Sequence, residues 1–228
     1  MQNKKVERSP IFFRRPIVTS RKVHRVPICR ETKCAGCDLR CGKYKDSTIL
    51  YAEEPDLIAR INEVESEGGL AVLITRKSLP EDVILEMGYS PFNVIQYEID
   101  ITKPISLDMI ASMNFTKSCG VTVRAVLYPV LPAHKPSFVI EAIEKIKVNC
   151  STIAIKFAEL AYSEDTIFVF NSTTSVKSDN FERIGDVYTC KTDFEQKFTK
   201  IVALYAKLKK IQVEFCQYSK CSTKGENI

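Results

Sequence analysis

Leu70-Ala-Val-Leu-Ile-Thr75 is a continuous apolar run, preceded by Gly68-Gly69 and followed by Arg76-Lys77-Ser78. A half-exposed strand alternates apolar and polar residues, so an unbroken run of this length predicts a strand covered on both faces. Strands of that kind belong to parallel sheets, whose crossovers are helices. The flanking sequence supplies one on each side. Leu57, Ile58, Ile61 and Val64 recur at helical spacing after Pro55, a residue suited to the first helical position, and the glycine pair stops that helix. Upstream of it, Ser47-Thr-Ile-Leu-Tyr-Ala52 reads as a short buried strand. Downstream, Ser78 and Pro80 open a short helix that runs through Met87 to Gly88, and Asn93-Val-Ile-Gln-Tyr-Glu-Ile99 reads as the next strand.

The alternation continues toward the C-terminus. Pro104 starts a helix carrying Ile105, Leu107, Met109, Ile110 and Met113, ended by Cys119-Gly120. Val121-Thr-Val-Arg-Ala-Val-Leu-Tyr128 is a strand stopped by Pro129 and Pro132. Pro136 begins a helix whose buried stripe is Phe138, Val139, Ile140, Ile143 and Ile146, and Ser151-Thr-Ile-Ala-Ile-Lys-Phe157 is the strand after it. Residues 163–191, rich in Ser, Thr, Asn and Asp, read as irregular, with Thr166-Ile-Phe-Val-Phe170 a short strand or packing segment. A helix over Asp193–Lys210 carries Phe194, Phe198, Ile201, Val202, Tyr205 and Leu208, and Ile211-Gln-Val-Glu-Phe215 closes as a strand.

Alternating strands and helices with short connections specify parallel strands joined by right-handed crossovers. The expected fold is α/β, a partial (β/α) barrel of about six parallel strands with a Cys-rich metal loop near the N-terminus, rather than a short doubly wound sheet. Residues 1–12 form a disordered basic arm, 13–215 the barrel domain including the cysteine loop 29–41, and 216–228 a polar tail. Chemistry is expected at the carboxyl ends of the strands.

That loop is Cys29-Arg-Glu-Thr-Lys-Cys34-Ala-Gly-Cys37-Asp-Leu-Arg-Cys41. Four thiols joined by such short connections can converge on one metal centre, and thiolates select zinc or iron-sulfur iron. Spacing alone does not choose between them. A disulfide staple is the third reading. It is disfavoured by the odd total of nine cysteines and by a polar, basic N-terminus without the apolar core of a secretory signal. The thiols are therefore expected to be reduced, in a cytoplasmic protein, and no run is long enough for a membrane-spanning helix. Arg30, Lys33 and Arg40 make the loop electropositive, which attracts phosphate and lowers thiol pKa.

The net charge of +5 is modest, but the positive charge is concentrated early: Lys4, Lys5, Arg8, Arg14, Arg15, Arg21, Lys22, Arg25, Arg30, Lys33, Arg40, Lys43 and Lys45 crowd the first 45 residues. Such an arm steers nucleic acid or a phosphate-bearing ligand, or is a solvated basic tail. With neither a glycine-rich phosphate loop nor a Ser-His-Asp elbow, P-loop, Rossmann and serine-hydrolase chemistries are disfavoured.

Phe12-Phe13 and Pro16-Ile-Val-Thr19 read as a first extended segment, and a cysteine-rich loop after such a first strand of a βα-repeat chain resembles the radical S-adenosylmethionine superfamily. Residues 70 to 160 are similar to the later strands of its spore photoproduct lyase-like group. The segments that carry this are Leu73-Ile-Thr-Arg-Lys-Ser-Leu79, Asn93-Val-Ile-Gln-Tyr-Glu-Ile99 and Cys119-Gly-Val-Thr-Val-Arg-Ala-Val-Leu-Tyr-Pro-Val-Leu-Pro132. The resemblance implies a four-iron, four-sulfur cluster on Cys29, Cys34 and Cys37, with Cys41 as spare or fourth ligand. It also implies S-adenosylmethionine on the open iron, cleaved on reduction to a deoxyadenosyl radical, and a nucleic acid or nucleotide-like substrate. The departures are specific. The family spaces its cysteines by three and two residues, whereas Cys29, Cys34 and Cys37 are spaced by four and two, and the family's Gly-Gly-Glu element has no counterpart. They favour the other expectation, a non-catalytic zinc protein with four cysteine ligands that binds nucleic acid or joins a protein complex.

Several single residues stand out. Gln96, Glu98 and Asp100 alternate along one strand, and Gln96 and Glu98, with Arg124 from the next strand, are the candidate cofactor-binding groups; an edge strand facing solvent is the plainer explanation. An arginine in an apolar strand needs an anionic partner. Lys77 and His134, on loops after strands, are candidate substrate contacts, with ordinary surface roles as the alternative. Cys216 and Cys221 repeat the four-residue gap of Cys29 and Cys34, while Cys119 and Cys150 look like small core fillers.

Overall fold

The computed structural model describes residues 47–161, 181–184 and 187–216. Strand β1 is Ser47–Tyr51, β2 Leu70–Thr75, β3 Val94–Asp100, β4 Thr122–Val130 and β5 Thr152–Phe157. Three short strands follow, β6 (Glu159–Ala161), β7 (Phe181–Ile184) and β8 (Val187–Cys190), and then β9 (Val213–Cys216). The helices are α1 (Leu57–Ser66), α2 (Glu81–Met87), α3 (Leu107–Ser118), α4 (Pro136–Ile146) and α5 (Thr192–Lys209). Six strands form one parallel sheet in the order β1-β2-β3-β4-β5-β9, and β6-β8-β7 form a separate antiparallel sheet.

Because each parallel strand pairs with the next one in the chain, same-handed crossovers place all the helices on one face. The packing agrees. Leu50, Leu73, Ile95, Tyr97, Val123, Leu127, Ile153 and Ile155 point to the helices and share one core with Ile61, Met87, Met113, Ile143 and Phe198. Each such side chain contributes roughly 1.5–3 kcal/mol on full burial. The alternate strand positions Ile49, Val72, Ile74 and Val94 form a second, smaller cluster with Tyr51 on the opposite face, which carries no helix among the described residues.

Buried polar side chains lock the helices to the sheet. Asn93, with no exposed surface, accepts from the Ala71 N–H (2.9 Å) and donates to Glu65 Oε1 (2.9 Å) and to the Met87 carbonyl (3.1 Å). One amide thus ties β2, α1 and the end of α2. The Tyr97 hydroxyl lies 2.9 Å from Ser112 Oγ and 2.7 Å from Thr116 Oγ1, and burial pushes its pKa up despite those bonds.

Several boundaries depart from the sequence expectation for identifiable reasons. Pro55 is not the first helical residue, because Asp56 adopts a left-handed conformation (φ 54°) and α1 starts after it. Its other end is as expected. Gly68 takes φ 72°, and a Cβ on Gly69 would lie 3.0 Å from the Val64 carbonyl oxygen. Helix α3 begins not at Pro104 but after Ser106, whose hydroxyl caps the Met109 N–H at 3.2 Å. Strand β4 runs through Pro129 to Val130; proline has no N–H to give the ladder, and the pairing with β5 shifts register between Leu127 and Val130. Within the stretch expected to be irregular, β7 and β8 pair antiparallel. The segment 166–170 lies outside the described residues.

Candidate functional site

Strand register sets out this second face of the sheet in rows. One row runs Tyr51, Ile74, Gln96, Arg124, Thr152; the next, closer to the carboxyl ends, runs Glu98, Val126, Ala154, Glu214. The polar members occupy the middle and the β9 side, while the apolar cluster fills the β1–β2 side. Since β3 is an interior strand and Gln96 and Glu98 are buried, the edge-strand explanation is overturned.

Arg124 is 1% exposed and occupies the centre. Its Nη1 donates to Gln96 Oε1 (2.6 Å) across the strand pair, and its Nη2 reaches diagonally to Glu214 Oε2 (3.0 Å). Glu214 is thus the anionic partner a buried arginine requires. Glu98, its side chain 2% exposed, accepts from Arg76 Nε (3.0 Å) through Oε2. Its other oxygen, Oε1, is buried and has no hydrogen-bond partner among the described residues. Arg76 is half-exposed, and the hydrogen bond to Glu98 outweighs burial and raises its pKa further. Lys156 is also buried on this face.

At the end of β3, Asp100 accepts from the Thr102 N–H (3.0 Å) and hydroxyl (2.6 Å) and pairs with Lys103 (3.1 Å). Burial works to raise its carboxyl, but these partners more than offset it and hold the pKa below the usual range. Asp100 therefore stays ionised as a loop staple.

The proposed substrate contacts do not join this cluster. Lys77 is exposed, and its backbone is fastened to Thr75 Oγ1, which donates to the Lys77 carbonyl (2.8 Å) and accepts from its N–H (3.1 Å). Arg76, one residue earlier, is the side chain that turns to Glu98. His134 lies beyond the end of β4, six strand residues or about 20 Å past the level of Arg124. Its Nδ1 accepts from the Leu131 N–H (3.2 Å), and its ring packs 4.8 Å from that of Phe138.

Burial lowers the His134 pKa. A depressed basic group favours the folded state when neutral, so this contribution is complete above the unfolded value near 6.5 and is lost as pH falls below it. With two histidines in the chain, NMR titration of the imidazoles, assigned with His134→Gln, is expected to give His134 the midpoint below 6.5. A midpoint at or above that value contradicts the burial described.

Cys29, Cys34, Cys37, Cys41 and Cys221 lie outside the described residues. Among the described residues no group of three or more His, Cys, Asp and Glu side chains is placed to hold a metal ion. Cys119 and Cys150 are partly buried against the core, and burial pushes the Cys150 thiol up to about 12, which makes it a poor ligand or nucleophile at neutral pH. Among the described residues no helix is long and apolar enough to cross a membrane.

Glu214 and Arg76 complete the cluster that sequence reading anticipated only through Gln96, Glu98 and Arg124. The signal for Glu214 was available, as the polar position between Val213 and Phe215 in an apolar strand. Compared with protein-family models, with curated proteins and with solved structures, the chain matches none.

Proposed function

We propose that the chain is an iron-sulfur protein of radical S-adenosylmethionine type. In this reading the sheet curls into a partial barrel, and Cys29, Cys34 and Cys37, with Cys41 as spare or fourth ligand, hold a four-iron, four-sulfur cluster at its open face. The observation that carries it is the polar cluster of Gln96, Glu98 and Arg124, all buried, with the partly exposed Glu214, on the face that carries no helix among the described residues. Burying ionised groups inside a parallel sheet is costly unless they are paired, and such groups concentrate where a protein binds or reacts.

The donor set fits the groups implied. Four thiolates suit an iron-sulfur cluster or zinc. The Glu98 oxygen left without a partner among the described residues suits a hydroxyl or ammonium donor, both of which S-adenosylmethionine offers. Five residues lie between Cys41 and Ser47, so the six chain steps reach at most about 21 Å, while β1 spans about 15 Å. Chain length therefore permits the loop to reach the carboxyl ends. When bound, the cofactor supplies one-electron chemistry on reduction. The chain's own part is to hold it with Glu98, whose other oxygen accepts from Arg76. The basic residues before Lys45 suit a nucleic acid or nucleotide-like substrate.

A second reading is favoured by one feature of the cluster, since both terminal nitrogens of Arg124 are already taken by Gln96 and Glu214. A guanidinium whose terminal nitrogens are engaged in this way has fewer donors to offer a ligand. The loop is then a four-cysteine zinc site on a scaffold that binds nucleic acid or a protein complex.

Metal and acid-labile sulfide, measured with an absorption spectrum on protein purified without oxygen, separate the two. About four irons and four sulfides per chain, with colour that bleaches on reduction, are expected for the first reading. One zinc without sulfide selects the second. Cys34→Ala and Cys37→Ala are each expected to lose the metal, and unchanged content in both variants rejects both readings.

A further inference from the structure

Helix α5 turns Phe198, Val202 and Ala206 into the core, yet its outer face is not polar throughout. Ile201, Leu204 and Leu208 are 50%, 60% and 73% exposed. Spacings of three and four put these three on one stripe, the a-d-a seam of a heptad. Lys200 and Lys207, seven residues apart and both exposed, flank one side of the seam, and Lys197 heads it. Among the described residues none of these lysines is in an ion pair given by the structure, and the acidic residues of α5, Asp193 and Glu195, lie in its first turn.

We propose that this outer face of α5 is a docking seam for an acidic amphipathic helix of another protein. Aliphatic knobs would seat on Ile201, Leu204 and Leu208, and carboxylates beside them would pair with Lys200 and Lys207. Charge argues against a second copy of the chain, because antiparallel α5 helices would oppose those lysines to their own equivalents. Size argues the same way. Three side chains over about 10 Å of helix fall well short of the roughly 800 Å² per partner of a standard stable interface. Nucleic acid would use the lysines but not the aliphatic stripe. The surface therefore fits a weak, salt-sensitive helix-on-helix contact, and it is independent of what the cysteine loop binds.

The test titrates the full chain into a labelled synthetic helix of about three heptads, with leucine at a and d and glutamate at e and g. Saturable binding is expected, weakened at least tenfold between low salt and ~0.5 M salt. Leu204→Glu, an exposed change whose fold is checked by circular dichroism, is expected to abolish it. Lys200→Glu combined with Lys207→Glu is expected to weaken the acidic peptide about tenfold and to gain binding of the same peptide with lysine at e and g. The proposal is overturned by no saturable binding, or by binding indifferent to Leu204→Glu. It is equally overturned if the effect of Leu204→Glu appears instead on binding to phosphatidylcholine–phosphatidylserine vesicles or on self-association.

Discussion

Arg124→Ala is expected to lower the stability of the folded chain by about 3–5 kcal/mol, the range for removing one partner of a buried ion pair. The change strips the donor from Gln96 Oε1, which is buried, and from Glu214 Oε2. Glu214 is 31% exposed and recovers some hydration, which places the expected value in the lower half of that range. Replacing the pair together, Arg124→Met with Glu214→Leu, is expected to restore much of the loss, since an apolar pair of similar volume removes both charges and leaves Gln96 the group to be satisfied among the described residues. Urea denaturation of the three proteins checks both statements. A loss below about 1 kcal/mol for Arg124→Ala would mean the guanidinium is hydrated in solution and the cluster is not closed.

Phe198→Ala is expected to cost about as much, roughly 3–5 kcal/mol, by a different route. Phe198 is 2% exposed, and its ring lies 5.6 Å from Phe157 at the end of β5 and 5.5 Å from Phe194, one turn earlier in α5. Phe157 and Phe194 are themselves 6.1 Å apart and edge-on. Removing the central ring leaves a cavity that neither neighbour can fill without abandoning its own contact. Of the other inward residues of α5, Val202 and Ala206 offer little area, so the aromatic trio anchors this helix. Phe194→Ala, at a partly buried position, is expected to cost clearly less, and equal losses in thermal unfolding would count against that hierarchy.

The fold was largely legible because parallel strands covered on both faces demand apolar runs, and Leu70–Thr75 matches its strand residue for residue. Helix faces were less legible. Phe138, read as part of a buried stripe, is 39% exposed, and Ile201, at helical spacing with Phe198 and Val202, is 50% exposed. An apolar residue at helical spacing shows only that a face exists, not how wide the covered part is. The β7–β8 pair was missed although Gly185-Asp186 separates Phe181–Ile184 from Val187–Cys190, a two-residue spacer of the kind that joins hairpin strands. A surrounding composition rich in Ser, Thr and Asn hid it.

Of the candidate site, a glutamine, a glutamate and an arginine inside apolar strands were conspicuous, since each needs a partner. Which partner could not be read. Glu214 lies 90 residues from Arg124 in sequence and reaches it through the crossover that brings β9 beside β5. Arg76 looked like one more basic residue in a loop, next to Lys77, and only the direction of the chain leaving β2 separates their roles.

That crossover differs from the others in length. Val94 pairs with Thr122, 28 residues on, whereas Ile153 pairs with Val213, 60 residues on, with the small antiparallel sheet in between. Loop-closure entropy grows only with the logarithm of length, so doubling the detour costs about 0.7 kcal/mol. A chain of this design can lengthen there by a whole supersecondary unit and lose less stability than one buried methylene provides. The passage from β5 to β9 is therefore where this architecture accepts added chain most cheaply.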